Sequence, residues 1–385
     1  MSFSLPAEMM DILRLTKNGN LIEATAAIQR ALRGGLGQAD DATHPVALDA
    51  TQTSAGVWTT VQDQPSPSAP VLPVAFHGMV DRFSRHGHQP AAPVALPDGA
   101  QFEQRLFQNA SGSRPYKLYI PTGYAASTKD IPLIVMLHGC TQSADDFAAG
   151  TRMNDLAEEE VFLVAYPEQI QSANPSRCWN WFNAAEQQRS GSEASLIAGI
   201  TRQIVAEFRV DPKRVFIAGL SAGGAAATIM GASYPDLYAA VGVHSGLACG
   251  AARDMPSAFV AMRKGGHRGS GKRESTFVPT IVFHGDADKT VHAINGEQVI
   301  SQSISHATIA PTVEHGRSPG GVSYTRKIWR DAAANTHSEQ WLLHGTGHAW
   351  SGGSASGSYS DPRGPDASRE MIRFFLSNPM RRTPA

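Results

Sequence analysis

The spacing of hydrophobic residues divides this 385-residue chain into three segments. In residues 1–35, apolar side chains recur at helical intervals on both sides of a turn at residues 18–20, which predicts a short helical hairpin. Residues 36–100 show no period and contain runs of Pro, Ala and Ser, as in a flexible, partly disordered linker. From residue 101 to 380, strand patterns alternate with helix patterns, which predicts one large α/β domain.

The predicted strands of this domain are of two kinds. Segments 102–107 and 116–120 alternate in polarity, as an antiparallel pair at a sheet edge would. Near-continuous apolar runs, typical of parallel strands covered on both faces, follow at 133–137, 161–165, 214–218, 239–243 and 279–283. The clearest helix is 193–208, and a late hairpin at 322–329 and 339–343 precedes a closing helix at 368–376. We therefore expect a mostly parallel sheet with helices on both faces.

The composition fits a globular protein with no strong electrostatic preference. Hydrophobic residues make up 42% of the chain, which is enough for a sizeable core. The 33 Lys and Arg residues nearly balance the 34 Asp and Glu residues, so we expect no nucleic-acid partner. No apolar run reaches the roughly 18 residues of a transmembrane helix. The first residues lack the basic-then-apolar order of a signal peptide, which makes a cytoplasmic location the default expectation.

One short motif predicts the chemistry. The sequence Gly-Leu-Ser-Ala-Gly at residues 219–223 lies between an apolar run that ends at Ala218 and a stretch of small residues that begins at Gly224. A G-x-S-x-G motif between a strand and a helix holds its serine on a sharp turn, with the hydroxyl exposed above the sheet. Ser221 is therefore the candidate nucleophile, and it requires a base and an oxyanion hole.

Candidate partners for Ser221 follow two later strands. Ligands bind beyond the carboxyl ends of parallel strands, and there the chain carries Asp286 and Asp288 after one strand and His348 after another. The order Ser, Asp, His is the one that α/β-hydrolases use. His348 is the predicted general base. We favour Asp288 as the acid that orients it, because the turn at Gly285 should finish before the carboxylate projects; Asp286 would then stabilise the turn.

The oxyanion hole is expected from two backbone amides. One belongs to Ala222, directly after the nucleophile, and the other to Cys140 or Thr141 in the loop after the predicted strand 133–137. A role for Cys140 as the nucleophile is a weaker alternative, because Ser221 is better placed. Cys178 could form a disulfide with Cys140 or with Cys249, and the sequence leaves this choice open.

Three tryptophans are candidates for substrate contact. Trp179 and Trp181 lie in the most aromatic stretch of the chain, within a loop at the ligand-binding end of the sheet, and Trp350 lies two residues after His348. They could form an apolar wall for an acyl or polymer chain. Packing beneath a long loop is an equally weighted alternative for the first two.

Two other sequence features could suggest a metal site or a phosphate-binding loop, but neither has the required pattern. His344 and His348 are four residues apart, but a metal-binding pair at that spacing needs a helix, and Gly345 and Gly347 disfavour one. The basic, glycine-rich stretch 263–273 lacks the order of a phosphate-binding loop and is interpreted as a solvated mobile loop. We therefore expect no metal and no organic cofactor.

Several motifs together carry a family resemblance. They are Leu-His-Gly-Cys-Thr-Gln at 137–142, Cys-Trp-Asn-Trp-Phe at 178–182, the serine motif at 219–223, His-Gly-Asp-Ala-Asp at 284–288, Gly-His-Ala-Trp-Ser-Gly-Gly at 347–353 and the C-terminal stretch 359–367. With them, residues from about 114 to 379 resemble the poly(3-hydroxybutyrate) depolymerase family of esterases, which has the α/β-hydrolase fold. The resemblance implies a serine esterase with Ser221, Asp288 and His348 as its catalytic triad.

The resemblance leaves several functions open. The first expectation is hydrolysis of polyhydroxybutyrate or of hydroxyalkanoate oligomers, with a polymer or granule surface as partner. Feruloyl and acetyl-xylan esterases share much of the pattern and are the enzymatic alternative. The non-enzymatic alternative is a granule-associated or partner-binding protein that docks through residues 1–35. Because polymer-degrading members are often secreted, secretion is the alternative to a cytoplasmic location. The oligomeric state stays open.

Overall fold

The computed structural model describes residues 96–266, 278–304, 310–331 and 334–380. The predicted helical hairpin at 1–35 lies outside these residues, as does the predicted linker up to residue 95. Most of the basic stretch 263–273 also lies outside them. The structural description therefore concerns the α/β domain.

Strands of the described residues form one ten-stranded sheet in the order β1-β2-β4-β3-β5-β6-β7-β10-β9-β8. Two further short strands, β11 and β12, pair with each other in parallel. The strands are β1 (Gln101–Asn109), β2 (Gly112–Ile120), β3 (Ile131–Leu137), β4 (Leu163–Pro167), β5 (Val210–Leu220), β6 (Ala240–His244), β7 (Thr280–Gly285), β8 (Thr312–Arg317), β9 (Ser323–Arg330), β10 (Thr336–Leu343), β11 (Trp350–Ser351) and β12 (Ser360–Asp361).

The centre of the sheet is parallel and its two edges are antiparallel. Strands β4, β3, β5, β6, β7 and β10 pair in parallel, whereas β1 and β2 at one edge, and β9 and β8 at the other, run antiparallel to their neighbours. Because the central strands are parallel, their carboxyl ends all lie at the same end of the sheet.

Helices cover both faces of this sheet. They are α1 (Ala144–Thr151), α2 (Met153–Glu160), α3 (Ser192–Glu207), α4 (Ala222–Ser233), α5 (Met255–Lys264), α6 (Ile294–Ser303) and α7 (Ala367–Leu376). Alternate residues of β3 enter two separate cores: Leu133 and Val135 belong to the core that includes residues of α3 and α4, whereas Ile134 belongs to the core that includes residues of α1, α2 and α7. The predicted α/β class, a mostly parallel sheet with helices on both faces, is confirmed.

The element predictions are largely confirmed, with shifts of a few residues. The clearest predicted helix, 193–208, is observed as α3, and the antiparallel pairs β1–β2 and β9–β10 are observed as expected. The strand expected at 161–165 is observed two residues later as β4. Strand β8 was not predicted, because this edge strand is exposed on both faces and has no hydrophobic alternation.

Tight aromatic packing secures α7 to the sheet. The rings of Phe375 and Phe216 stack with centroids 5.0 Å apart and an angle of 5° between their planes, and both side chains are fully buried. Gly242 of β6 permits this approach, since a Cβ atom there would lie 2.7 Å from the Met371 sulfur and 3.0 Å from the Phe375 ring. The helix that closes the chain therefore belongs to the core.

This packing predicts a large loss of stability for Phe375→Ala. Removing a buried phenyl ring leaves a cavity against Phe216, and such changes typically lower the free energy of unfolding by about 3–5 kcal/mol. Urea unfolding measures the difference. Val260→Ala is the control, because Val260 is 59% exposed on α5 and its truncation should change stability by less than about 0.5 kcal/mol. Equal losses for the two variants would contradict the packing argument.

Candidate active site

Ser221 occupies a strained turn between β5 and α4. Its backbone has φ 57° and ψ −118°, a conformation that non-glycine residues rarely adopt and that is common at active sites. The flanking glycines are required by space. A Cβ atom on Gly219 would lie 2.3 Å from the backbone of Gly223, and one on Gly223 would lie 2.0 Å from the Leu137 carbonyl oxygen. The turn thus has the geometry of a nucleophile elbow.

His348 and Asp288 form a hydrogen-bonded pair at the carboxyl end of the parallel strands, where the turn of Ser221 after β5 also lies. The distance between His348 Nδ1 and Asp288 Oδ2 is 2.7 Å, and the two side chains are 9% and 0% exposed. Asp288 Oδ1 accepts the N–H groups of Thr290 at 2.8 Å and Val291 at 2.9 Å. Burial raises the pKa of Asp288, but the hydrogen bond and charge of His348 outweigh it, and the net shift is downward. The carboxylate is therefore an acceptor, so His348 donates through Nδ1–H and its Nε2 is left to accept a proton.

The structure also places the second candidate carboxylate. Asp286 accepts hydrogen bonds from His344 Nδ1 at 2.8 Å and from the Gly345 N–H at 2.7 Å, near the surface. It ties the two loops together at the turn, as its local role predicts. Asp288, rather than Asp286, lies against His348.

A chain of contacts joins the serine to the histidine loop. The Ser221 N–H donates to the carbonyl oxygen of His244 at 2.9 Å, and the His244 Nε2 accepts the Ser351 N–H at 3.0 Å. Ser351 lies three residues after His348. His244 itself is fully buried between the rings of Phe283 and Trp350. His244 thus contacts both loops, that of Ser221 through its carbonyl oxygen and that of His348 through its ring nitrogen.

Two buried histidines at this edge were not found by sequence reasoning. Burial, with a smaller contribution from the neighbouring His284 and His348, lowers the pKa of His244 to about 3, so its ring is neutral. His284 Nε2 donates to the Val291 carbonyl at 2.7 Å and lies 3.6 Å from Asp288 Oδ2, which secures the loop that carries the acid. Their positions at the ends of β6 and β7 were the available signal.

The candidate oxyanion donors differ in whether their N–H groups are already hydrogen-bonded. The Thr141 N–H donates to the Ser176 carbonyl at 2.8 Å, so it is already engaged. No acceptor for the Cys140 N–H or the Ala222 N–H occurs among the described residues. Both residues border the same cavity as Ser221. Of the two, Cys140 therefore remains the candidate donor.

A disulfide joins the oxyanion loop to the aromatic loop. Cys140 and Cys178 are bonded, with their Cα atoms 4.2 Å apart. Cys249 is buried and lies outside this bond. The pairing that the sequence left open is thus Cys140 with Cys178.

An apolar cavity opens beside the serine. The cavity and its solvent-open mouth together enclose about 630 Å³, and the wall consists of Cys140, Thr141, Ser176, Cys178, Trp181, Phe182, Ser221, Ala222, Leu247, Met255, Ala258, Phe259, Met262, Thr290 and Val291. No charged side chain takes part in this lining. The cavity therefore suits an uncharged, apolar group attached to the reacting carbon.

The structure corrects the prediction of substrate contact for two of the three tryptophans. Trp181 borders the cavity as predicted, but Trp179 and Trp350 are 0% and 1% exposed and do not. The indole N–H of Trp179 donates to the His138 carbonyl at 3.1 Å, and that of Trp350 donates to Ser368 Oγ at 3.0 Å. Both pack beneath the site rather than against a substrate, because their rings are needed to fill the core.

One face of α5 supplies the cavity wall that the sequence analysis missed. Met255, Ala258, Phe259 and Met262 follow the i, i+3, i+4, i+7 spacing of a helix face. This spacing was visible in the sequence, but nothing in it indicated that the helix packs over Ser221 rather than over the core.

Neither a metal site nor a membrane span is found in the part of the chain that the structure describes. No three His, Cys, Asp or Glu side chains are grouped so that they could hold an ion. The helices of those same residues are too short or too polar to cross a bilayer.

Known sequences resemble this chain over most of the α/β domain. Residues 114–318, more than half of the chain, match the family described as Esterase PHB depolymerase. Poly(3-hydroxyalkanoate) depolymerase C of Paucimonas lemoignei is 31% identical over 274 residues, which cover 67% of this chain and 65% of that protein. Acetylxylan esterase A of Talaromyces purpureogenus is 28% identical over 216 residues, which cover 50% of this chain and 53% of that protein. The chain thus spans less than two thirds of the length of these curated relatives.

A solved structure is similar in fold. The acetyl xylan esterase from Aspergillus awamori superposes with a TM-score of 0.56 at 19% identity, over 72% of this chain and 99% of that one. At this identity the likeness concerns the backbone arrangement, which is that of the α/β-hydrolases.

The buried His244 predicts an acid-sensitive fold. Its pKa is about 3 in the folded protein and about 6.5 when unfolded, so below pH 6.5 the unfolded chain binds the extra proton. Stability from this group is complete above pH 6.5 and falls by about 1.4 kcal/mol per pH unit as the pH drops. Urea unfolding between pH 7 and 4 should show a shallower slope for His244→Gln than for the unsubstituted protein. Parallel slopes would contradict the prediction.

The disulfide predicts a redox-dependent stability. It closes a loop with a sequence separation of 38 residues. The chain-entropy relation gives about 4 kcal/mol for a loop of that length. Adding a phosphine reductant should lower the free energy of unfolding of the unsubstituted protein by roughly this amount. The double variant Cys140→Ser/Cys178→Ser is the control and should not respond. A response of equal size in both proteins would show that the reductant acts elsewhere.

Proposed function

The chain belongs to the Esterase PHB depolymerase family, and on this premise we propose that it hydrolyses carboxylic esters through an acyl-enzyme. The observation that carries the proposal is the strained Ser221 elbow at the sheet edge that also holds the Asp288–His348 pair. A serine hydroxyl becomes nucleophilic when a neighbouring imidazole removes its proton, and a carboxylate keeps that imidazole in the required tautomer.

Each group would have one task. Ser221 Oγ attacks the ester carbon while His348 Nε2 takes its proton, and Asp288 stabilises the imidazolium that forms. His348 then returns the proton to the alkoxide of the leaving alcohol, which departs and leaves the acyl group on Ser221. Water attacks the acyl-enzyme with His348 as base and releases the acid. No metal or organic cofactor takes part in these steps.

The backbone amides of Cys140 and Ala222 would bind the oxyanion. The negative charge on the former carbonyl oxygen develops only in the transition state, so donors placed beforehand lower the barrier without tighter substrate binding. Ala222 is the first residue of α4, and its amide lies at the positive end of that helix.

For the substrate, we propose hydroxyalkanoate esters, either as oligomers or within a polyester. The apolar wall formed by α5 and Trp181 supports this, since an uncharged lining suits the hydrocarbon part of an acyl chain. The relative from Paucimonas lemoignei, named as a poly(3-hydroxyalkanoate) depolymerase, also supports it. Hydrolysis of acetyl groups on xylan is the second candidate, supported by relatives named as acetylxylan esterases. Comparing kcat/KM for hydroxybutyrate oligomers, acetylated xylan and methyl ferulate separates these substrates.

The disulfide bears on location. Disulfides persist in oxidising compartments and are rare in the cytoplasm. The bond between Cys140 and Cys178 therefore supports export as the proposed location, in place of the cytoplasmic default. Alkylation of thiols in protein taken directly from its native compartment tests this, because a cytoplasmic pool would contain both cysteines in reduced form.

The catalytic assignment predicts graded losses of activity. Ser221→Ala should lower kcat for p-nitrophenyl butyrate by about 10⁵–10⁶-fold, and Asp288→Asn by about 10⁴-fold, because the nucleophile is lost in one and the tautomer of His348 in the other. Asp286→Asn is the matched control at the same loop and should retain nearly full kcat. Steady-state kinetics and circular dichroism check the three variants. An Asp286→Asn variant as inactive as Asp288→Asn would contradict the assignment. Full activity in Ser221→Ala would expose a contaminating esterase or favour the non-enzymatic alternative.

A further inference from the structure

A buried carboxylate that takes no part in the proposed reaction lies behind the oxyanion loop. Glu193, in the first turn of α3, is 6% exposed. It accepts the Asn180 N–H at 2.8 Å and the Asn180 Nδ2–H at 2.6 Å, and it also contacts the amide nitrogen of Gln169. Arg114, which is buried as well, bonds to the oxygen of the same Gln169 side chain. A buried charge is tolerated when such partners surround it.

Gln169 links this charge to the two sides of the disulfide. Its side-chain nitrogen donates to the Cys178 carbonyl at 3.0 Å, in addition to its contact with Glu193. Its backbone N–H donates to His138 Nε2 at 3.0 Å. His138 lies in the loop of Cys140, the bonded partner of Cys178. The network therefore reaches the oxyanion loop by two routes.

Asn180 extends the network along the aromatic loop. Its side-chain oxygen accepts from Asn174 Nδ2 at 2.9 Å, and Asn174 Oδ1 accepts the Ser176 N–H at 3.0 Å. The Ser176 carbonyl then receives the Thr141 N–H at 2.8 Å, directly beside Cys140. Asn180 also precedes Trp181, which borders the cavity. One carboxylate thus anchors the loop that supports the oxyanion donor and the cavity wall.

His138 connects this network to the orientation of the Cys140 N–H. Burial lowers its pKa to about 4, so the ring is neutral. Since Nε2 accepts from Gln169, the proton is on Nδ1, which donates to the Gly139 carbonyl at 2.7 Å. That carbonyl and the Cys140 N–H belong to the same planar trans peptide and point in opposite directions. A fixed Gly139 carbonyl therefore fixes the direction of the Cys140 N–H.

We propose that Glu193 is a positioning residue for ester hydrolysis: through Gln169 and Asn180 it holds the Cys140 amide in the orientation that receives the oxyanion. This proposal rests on the proposed function. A carboxylate suits the position because three N–H donors converge on it, and an amide in its place would turn an NH₂ group toward at least one of them. Glu193 touches neither the serine nor the cavity.

The kinetic test uses Glu193→Gln with p-nitrophenyl butyrate. Misdirecting one oxyanion donor weakens transition-state binding alone, so kcat should fall by about 10–100-fold while KM stays within about threefold. Glu186→Gln is the matched control. Glu186 lies at the same end of α3 and accepts from Ser192 Oγ at 2.7 Å and from the Glu193 N–H at 2.8 Å. Both partners belong to α3, whereas the partners of Glu193 belong to the loops of Gln169 and Asn180. This control should keep the unsubstituted kcat. Equal kcat in all three proteins, or equal losses in both variants, overturns the proposal.

A second measurement does not depend on activity. Hydrogen exchange followed by mass spectrometry should show faster exchange at residues 137–143 and 173–182 in Glu193→Gln than in Glu186→Gln. Unchanged exchange in these segments overturns the anchoring, whatever the kinetics. If the unsubstituted protein hydrolyses no ester, the proposed function fails, and exchange alone decides whether Glu193 holds the loop.

A milder variant covers the case in which Glu193→Gln does not fold. Asn180→Ala retains Glu193 and the backbone bond at residue 180 but removes the Nδ2 bond and the link to Asn174. We expect kcat to fall by about 3–10-fold with KM nearly unchanged, since one of several supports for the donor is lost. A rise in KM with unchanged kcat would overturn the proposal in favour of a role in substrate binding.

Discussion

The site depends on a close contact between two stretches of backbone. Where α4 begins, Gly223 lies against the carbonyl oxygens of Leu137 and His138, with no room for a side chain between them. This contact sets the distance between the nucleophile turn and the loop of Cys140. The loop is held on its other side by the disulfide and by Gln169. Nucleophile and oxyanion loop are thus parts of one rigid junction.

The order of the strands in the sheet brings the other candidate catalytic residues to the same end of the sheet as Ser221. β5, β6, β7 and β10 are consecutive neighbours, so Ser221, His244, Asp288 and the loop of His348 follow adjacent strand ends. Residues that are 127 positions apart in the chain (221 and 348) are thereby brought to one edge of the layer. The buried His244 accepts an N–H from each loop, from Ser221 with its carbonyl oxygen and from Ser351 with its ring Nε2. Hydrogen bonding within the sheet therefore does most of the positioning.

What the sequence could predict follows from how local each signal is. Apolar runs and the serine motif are local, so the central strands, the elbow and the chain order of Asp288 and His348 could be read directly. The pairing of Cys140 with Cys178 and the role of Glu193 depend on where a long loop folds back. Trp179 and Trp350 show the same limit, because an indole near the site in sequence can face the core or the cavity, and the choice is made by tertiary packing.

The attachment of α5 has a consequence for how this scaffold can diversify. The helix is fastened through its backbone: the His292 N–H donates to the Met262 carbonyl at 2.7 Å, and Asn295 Nδ2 donates to the Ala261 carbonyl at 2.9 Å. Because those bonds do not involve the side chains that face the cavity, these positions can exchange residues over generations while the helix stays in place. Selection for a new ester could therefore proceed on this helix, leaving the crowded elbow untouched.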